Sequence, residues 1–173
     1  PSTYRELIMT NNENSSVITL MRILGYVGLI PFVVPVLLML DGFWFGPGLQ
    51  SAALFGLYAP YIFIAYSAVI LSFMSGTLWA NWQTVENLSL AKPIVLMSNL
   101  LALSAWCALL LIYVAPIMTI FAVTLLMLGF ISLLWAERLV NPVDKQYWRM
   151  RLSLTSLVTG LHLVVVTLML MEF

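Results

Sequence analysis

The chain has 173 residues, of which 62% are hydrophobic and only 8% are charged, and its mean hydropathy is +1.04. Soluble domains carry about 25% charged residues, so this composition excludes an ordinary soluble enzyme and a disordered regulator. Seven Lys and Arg balance seven Asp and Glu, which excludes the basic excess of a nucleic-acid-binding protein. A single Cys excludes a disulfide framework and a multi-cysteine metal site. The sequence therefore predicts an integral membrane protein.

Five apolar stretches are long enough to cross a bilayer, which takes about 20 predominantly apolar residues. They cover approximately residues 17–40, 58–80, 93–113, 116–135 and 152–171, and a polar segment, residues 1–16, precedes them. The short break at residues 114–116 separates two crossings, because the apolar run around it is about twice the length of one. The predicted fold is all-α, with one transmembrane domain (residues 17–173) built as a bundle of five transmembrane helices. The polar run at residues 11–16 predicts a hinge before the first span.

The positions of the cations predict the orientation of the bundle. With five crossings, every Lys and Arg falls on the same side of the membrane, and these residues are Arg5, Arg22, Lys92, Arg138, Lys145, Arg149 and Arg151. Loops rich in Lys and Arg stay in the cytoplasm. We therefore expect a cytoplasmic N-terminus, a C-terminus on the opposite side and a cytoplasmic loop over residues 137–151.

Small residues recur at intervals of four in the second span, at Ala68, Ser72, Gly76 and Ala80, and a shorter series in the fifth span includes Gly160. Small side chains let helix backbones approach closely in lipid. The pattern predicts a helix-packing seam, and the alternative is the lining of a ligand groove.

Two prolines in the first span, Pro31 and Pro35, lie four residues apart. Each removes a helical hydrogen bond and is expected to bend the helix. The bend fits either a kinked packing helix or a hinge that opens a vestibule. Gly28 lies just before the first of these prolines.

His162 is the one ionisable side chain near the middle of a span, and Thr159 shares its helix face. It is either a neutral core histidine with a hydrogen-bond partner or a functional group, and Asn99, Ser72 and Ser75 are its candidate partners. We expect the neutral form at pH 7, because a charge at mid-membrane is costly. The absence of a second His makes a metal site improbable.

Aromatic and basic residues together mark the cytoplasmic interface at Trp79, Trp148, Arg149 and Arg151. This combination suits contact with anionic lipid headgroups, and specific recognition of a lipid or a partner protein is the alternative. On the opposite side, Asp41 and Glu172 end the first and fifth spans and are predicted to be solvated.

Motifs for nucleotide binding, metalloprotease chemistry, the serine nucleophile elbow and voltage sensing are absent from the sequence. No series of membrane-embedded acids that would relay protons is present either. We therefore expect no enzymatic activity and no cofactor.

Three motifs carry a family resemblance: residues 24–32 (LGYVGLIPF), residues 66–73 (YSAVILSF) with Gly76 and Trp79 after it, and residues 147–151 (YWRMR). Together they resemble the bacterial membrane family named domain of unknown function 3429, to which animal transmembrane protein 69 is related. The resemblance covers approximately residues 20–170, and Ala80 stands where the family often has Gly. It implies a small multi-pass protein of the bacterial cytoplasmic membrane and supplies no established reaction. In that membrane the orientation predicted from the cations makes the C-terminus periplasmic. Matching positions in the family's common core or site are Gly28, Pro31, Tyr66, Ser72, Gly76, Trp79, Trp148 and Arg149.

The expected site is an intramembrane groove among spans one, two and five. Its candidate residues are Gly28, Pro31, Tyr66, Ser72, Gly76, Asn99, Thr159 and His162. The predicted function is non-enzymatic support of cell-envelope maintenance, by binding or organising membrane lipids or by assisting another membrane complex. The alternative is a small solute transporter or channel subunit, gated by the kinked first helix and coupled to protons by His162. Membrane lipids are the expected partners, self-association or another membrane protein is open, and nucleic acid is not expected.

Overall fold

The computed structural model describes residues 2–85, 87–140 and 145–172, and for residues 2–14, 84 and 88 it describes the backbone alone. The helices are α1 (Ser2–Val27), α2 (Ile30–Trp44), α3 (Ala59–Ala80), α4 (Ala91–Leu111), α5 (Met118–Val140) and α6 (Lys145–Glu172). Strands β1 (Ala53–Leu54) and β2 (Leu57–Tyr58) form a small antiparallel hairpin between α2 and α3. Short 3-10 turns cover Leu49–Ser51, Trp82–Thr84 and Leu88–Leu90. The predicted all-α architecture is confirmed.

Five helical stretches within the described residues are long and apolar enough to cross a membrane: Ser15–Trp44 and the four helices α3 to α6. The predicted number of spans is confirmed, but the predicted loop over residues 137–151 is wrong. α5 continues to Val140 and α6 already begins at Lys145, so most of that segment is helical. The physical reason is that Glu137 and Arg151 pair with each other between the helices and need no loop to reach water.

The core of the bundle forms around α3, which packs against α2, α4 and α5, while α6 packs against α5 and α2. Phe63, Leu71, Val123 and Leu126 are fully buried there. α1 lies against α6, and most of its described apolar side chains remain exposed. The first half of the first span therefore contacts the bundle along α6, and α3 is incompletely covered on that side.

The first span is interrupted between α1 and α2, at Gly28 and Leu29. Pro31 occupies the first turn of α2, where a missing N–H costs little, whereas Pro35 lies within α2. The predicted bend is thus a break three residues before the first proline. The predicted hinge at residues 11–16 is wrong, because those residues continue the α1 helix.

The predicted packing seams are only partly right. In α3, Ala68 is buried, but Gly76 is exposed and a Cβ atom built on it would meet nothing within 4 Å. Gly160 of α6 is equally open. The close approach lies elsewhere, at Gly129 of α5, whose Cβ would lie 2.5 Å from Leu71 Cδ2 of α3. Regular spacing shows that residues share a face, and it does not show which face meets a neighbour.

Candidate functional site

A cleft of about 250 Å³ opens between α1, α3 and α6, where α1 lies along α6 and leaves α3 uncovered. Its walls are apolar, and they include Leu24, Phe32, Ile70, Phe73, Phe130 and Leu154. Phe73 is 69% exposed, so one wall of the cleft continues onto the outer surface of the bundle. This surface belongs to spans with a hydropathy typical of bilayer crossings, so the cleft opens on the apolar outer surface of the bundle.

The helix break forms part of the cleft lining. Phe32 N–H donates to Leu29 O, three residues back rather than the four of an α-helix, and the Gly28 carbonyl accepts a hydrogen bond from the Tyr66 hydroxyl at 2.9 Å. A freed carbonyl within the bilayer must find such a partner, because lipid offers none. The ring of Tyr66 also packs edge-on against Phe32, with centroids 4.8 Å apart. Tyr66 therefore holds α2 to α3 at the break.

Close helix contact on the other side of the cleft depends on Gly25. A Cβ atom built on Gly25 would lie 3.0 Å from Leu154 Cδ1 of α6. At the next residue of α1, the Tyr26 hydroxyl lies 3.5 Å from Ser153 Oγ, which is a second contact between α1 and α6. These contacts place α1 along α6 and leave its other sides unpacked.

Arg151 lies at one end of the cleft and lines it. Its guanidinium donates to both carboxylate oxygens of Glu137, from Nε at 2.9 Å and from Nη2 at 2.8 Å. The side chains of Arg151 and Glu137 are only 11% and 8% exposed. The pair ties α5 to α6 and places a charged, hydrogen-bonding group beside an apolar cleft. We call this end of the bundle the Arg151 end and the opposite one the Glu172 end.

His162 is fully buried on α6, outside the cleft lining described above. The rings of Phe32, Phe63 and Phe130 surround it at centroid distances of 6.1, 4.7 and 5.4 Å. Nδ1 lies 2.8 Å from Val158 O, and Nε2 has no hydrogen-bond partner among the described residues. The prediction that Asn99, Ser72 or Ser75 is the hydrogen-bond partner of His162 is therefore wrong. The Asn99 and Ser75 side chains donate instead to carbonyls of their own helices.

The structure brings together two of the predicted groove residues, Gly28 and Tyr66, in the cleft. Gly76 and Asn99 lie on exposed faces away from it, and Pro31, Ser72 and Thr159 are half-buried beside other contacts. At the expected interface, Trp79 and Arg149 are exposed, Trp148 is half-buried and Arg151 is engaged by Glu137.

Sequence reasoning missed the pairing of Glu137 with Arg151 and the positions of Gly25, Phe130 and Thr155 in the lining of the cleft. A signal for the first was present, since an acidic residue at the end of an otherwise apolar span needs a partner.

The described helices define the class of this molecule: it is a polytopic α-helical membrane protein with a cleft on its apolar outer surface. A family model described as "Protein of unknown function (DUF3429)" matches residues 17–168. The chain therefore belongs to this family, and the resemblance drawn from its motifs is confirmed. No curated protein and no solved structure matches the chain.

Proposed function

We propose that this protein is a non-enzymatic lipid-binding protein of the bacterial cytoplasmic membrane, and that it supports the cell envelope by holding a phospholipid in the cleft. In this proposal the Arg151 end faces the cytoplasm and the C-terminus faces the periplasm. An acyl chain lies between α1, α3 and α6, and the headgroup lies near Arg151.

The observation that carries the proposal is the combination of an apolar cleft open on the outer surface of the bundle with a charged group at one end of it. An acyl chain that fills the cleft makes dispersion contacts with its walls, and these contacts are lost when the cleft is empty. Arg151 donates to Glu137 through Nε and Nη2, and in this proposal its remaining N–H groups donate to a phosphate at the end where α5 and α6 meet. The apolar walls thus match the acyl chain of a phospholipid, and the Arg151 end of the cleft matches its headgroup.

The surroundings of His162 favour lipid binding over proton-coupled transport. Its ring is enclosed by three phenylalanine rings, and two of these, Phe32 and Phe130, separate it from the cleft. A histidine that couples protons to transport needs contact with the solute pathway. The cleft has apolar walls, which suit an acyl chain better than a proton-coupled solute.

The test is native mass spectrometry of lipids retained by the purified protein. Ile70→Trp fills the cleft from α3, and the matched control Leu157→Trp adds the same side chain to a lipid-facing position of α6 that is 49% exposed. We expect the wild type and the control to retain a phospholipid, and Ile70→Trp to lose most of it. Equal retention by all three proteins would contradict the proposal.

A further inference from the structure

A second cavity, of about 590 Å³, lies at the Glu172 end of the bundle. It is bordered by the loop after α2, the start of α3, the start of α5 and the end of α6. Its polar groups come from Gln50, Tyr58, Tyr61, Thr119 and Glu172. This cavity is separate from the lipid cleft and has a different chemistry.

The carboxylate of Glu172 is held in place at the wall of this cavity. Leu49 N–H donates to its two oxygens at 2.8 and 3.0 Å. Gly48, in a left-handed conformation with φ +113°, lies so close that a Cβ atom there would be 2.7 Å from Glu172 Oε1. A glycine is therefore required for the carboxylate to rest against the loop. Glu172 is exposed, as predicted for a solvated carboxylate, and the loop backbone binds it as well.

Two tyrosines provide an aromatic wall beside the carboxylate. The rings of Tyr58 and Tyr61 pack edge to face with centroids 5.0 Å apart. Burial raises the pKa of Tyr58, and the nearby Glu172 carboxylate raises it further, so the field of this carboxylate reaches the ring. Such rings attract a cation to their faces by their quadrupole.

The charge at this end of the bundle is negative. Asp41 and Glu172 are the charged residues in the segments 40–61, 112–119 and 166–172, and these segments contain no Lys or Arg. The Glu172 carboxylate has backbone N–H contact but no ion pair among the described residues. A cation that enters the cavity would therefore meet an uncompensated carboxylate.

We propose that this cavity binds an organic ammonium group, with Glu172 as the counter-ion and Tyr58 and Tyr61 as its aromatic wall. A metal ion fits less well, because no three His, Cys, Asp or Glu side chains cluster as possible ligands in the described part of the chain. An ammonium group needs only one carboxylate and aromatic faces. Its source is either a soluble amine or the headgroup of a lipid in the adjacent leaflet.

The first arm of the test uses choline as a soluble probe, titrated calorimetrically into protein solubilised in a non-ionic maltoside detergent. Dimethylbutanol, the uncharged isostere of choline, serves as the ligand control. We expect Glu172→Gln to weaken choline binding by about tenfold or more, which corresponds to about 1.4 kcal/mol. Gly48→Ala should weaken it as well, because the added methyl displaces the carboxylate. The matched control Asp41→Asn, a carboxylate at the same end that does not line the cavity, should bind choline like the wild type.

The second arm measures which lipids the protein enriches from vesicles of phosphatidylethanolamine and phosphatidylglycerol. Loss of phosphatidylethanolamine enrichment in Glu172→Gln, without choline binding by the wild type, identifies a headgroup as the source. Saturable choline binding that Glu172→Gln weakens identifies a soluble amine. The proposal is overturned if Glu172→Gln changes neither choline binding nor lipid enrichment, or if dimethylbutanol binds as tightly as choline. Ile70→Trp, which removes phospholipid from the cleft, should leave choline binding unchanged, because Ile70 does not line this cavity.

Discussion

At the scale of single residues, the Tyr66 hydroxyl has a defined task at the helix break. It donates a hydrogen bond to the Gly28 carbonyl. Within a bilayer no water is available to replace this bond. Its ring also fills space beside Phe32. A variant that loses only the Tyr66 hydroxyl therefore tests the hydrogen bond while the ring still packs against Phe32.

We predict that Tyr66→Phe lowers the free energy of unfolding by about 1 kcal/mol, the usual scale of one interhelical hydrogen bond. Reversible unfolding in mixed micelles measures this loss. Tyr113→Phe is the control, because Tyr113 is 83% exposed. An unchanged Tyr66→Phe protein would show that the Gly28 carbonyl does not depend on this bond.

Some of these residues could be predicted from the sequence and others could not. The family motifs drew attention to Gly28 and Tyr66, since both lie in matching segments. The hydrogen bond between them could not be predicted, because 38 residues separate the two and only the packing of α2 on α3 joins them. For His162, the neighbours could not be predicted either, since aromatic rings of three different helices enclose it.

At the scale of elements, the pair of Glu137 and Arg151 connects α5 to α6. Removal of one partner leaves the other charge buried without compensation, which costs about 3–5 kcal/mol. We predict this loss for Glu137→Gln and for Arg151→Gln in the same unfolding measurement. The exposed Arg149→Gln should change stability by less than about 0.5 kcal/mol.

The double variant Glu137→Met/Arg151→Met shows whether the stability lost in each single variant comes from the missing ion pair or from the buried charge left without a partner. It should be more stable than either single variant, because apolar side chains replace both charges at once. A double variant whose loss equals the sum of the two single losses would contradict this interpretation.

Close packing of α3 on α5 depends on Gly129. We predict that Gly129→Ala destabilises the protein by about 1–3 kcal/mol, because its methyl would overlap Leu71, which is fully buried and has little room to move. Gly160→Ala is the matched control on α6, where the new methyl meets open space. It should be neutral or stabilise the helix by about 0.5–1 kcal/mol. Equal effects of the two substitutions in thermal unfolding would contradict the assigned contact.

At the scale of the whole molecule, the number of spans was predictable because hydropathy acts over a full bilayer crossing. The helix ends were less predictable. α6 begins at Lys145 rather than near residue 152, and its first turns include Arg151, which pairs with Glu137 of α5. The position of α1 along α6 was not predictable at all, because its apolar faces look alike in sequence.

The orientation follows from the distribution of Lys and Arg, and it remains a prediction. Reporter enzymes fused to each terminus should place the N-terminus in the cytoplasm and the C-terminus outside it. Reversal of both positions, or both termini on one side, would contradict the odd number of crossings or their direction. Arg22→Glu, on the exposed face of α1, should leave the orientation unchanged because the other cations persist.

The central claim is that the cleft between α1, α3 and α6 holds a lipid chain. Photo-crosslinking with a phospholipid that carries a diazirine on its acyl chain tests it most directly, with the labelled residues located by peptide mass spectrometry. We predict adducts concentrated on the cleft wall, at Ile70, Phe73 and Leu154, and their loss in Ile70→Trp. Adducts spread evenly around the bundle, with lipid-facing Leu163 labelled as strongly as the cleft wall, would contradict the claim.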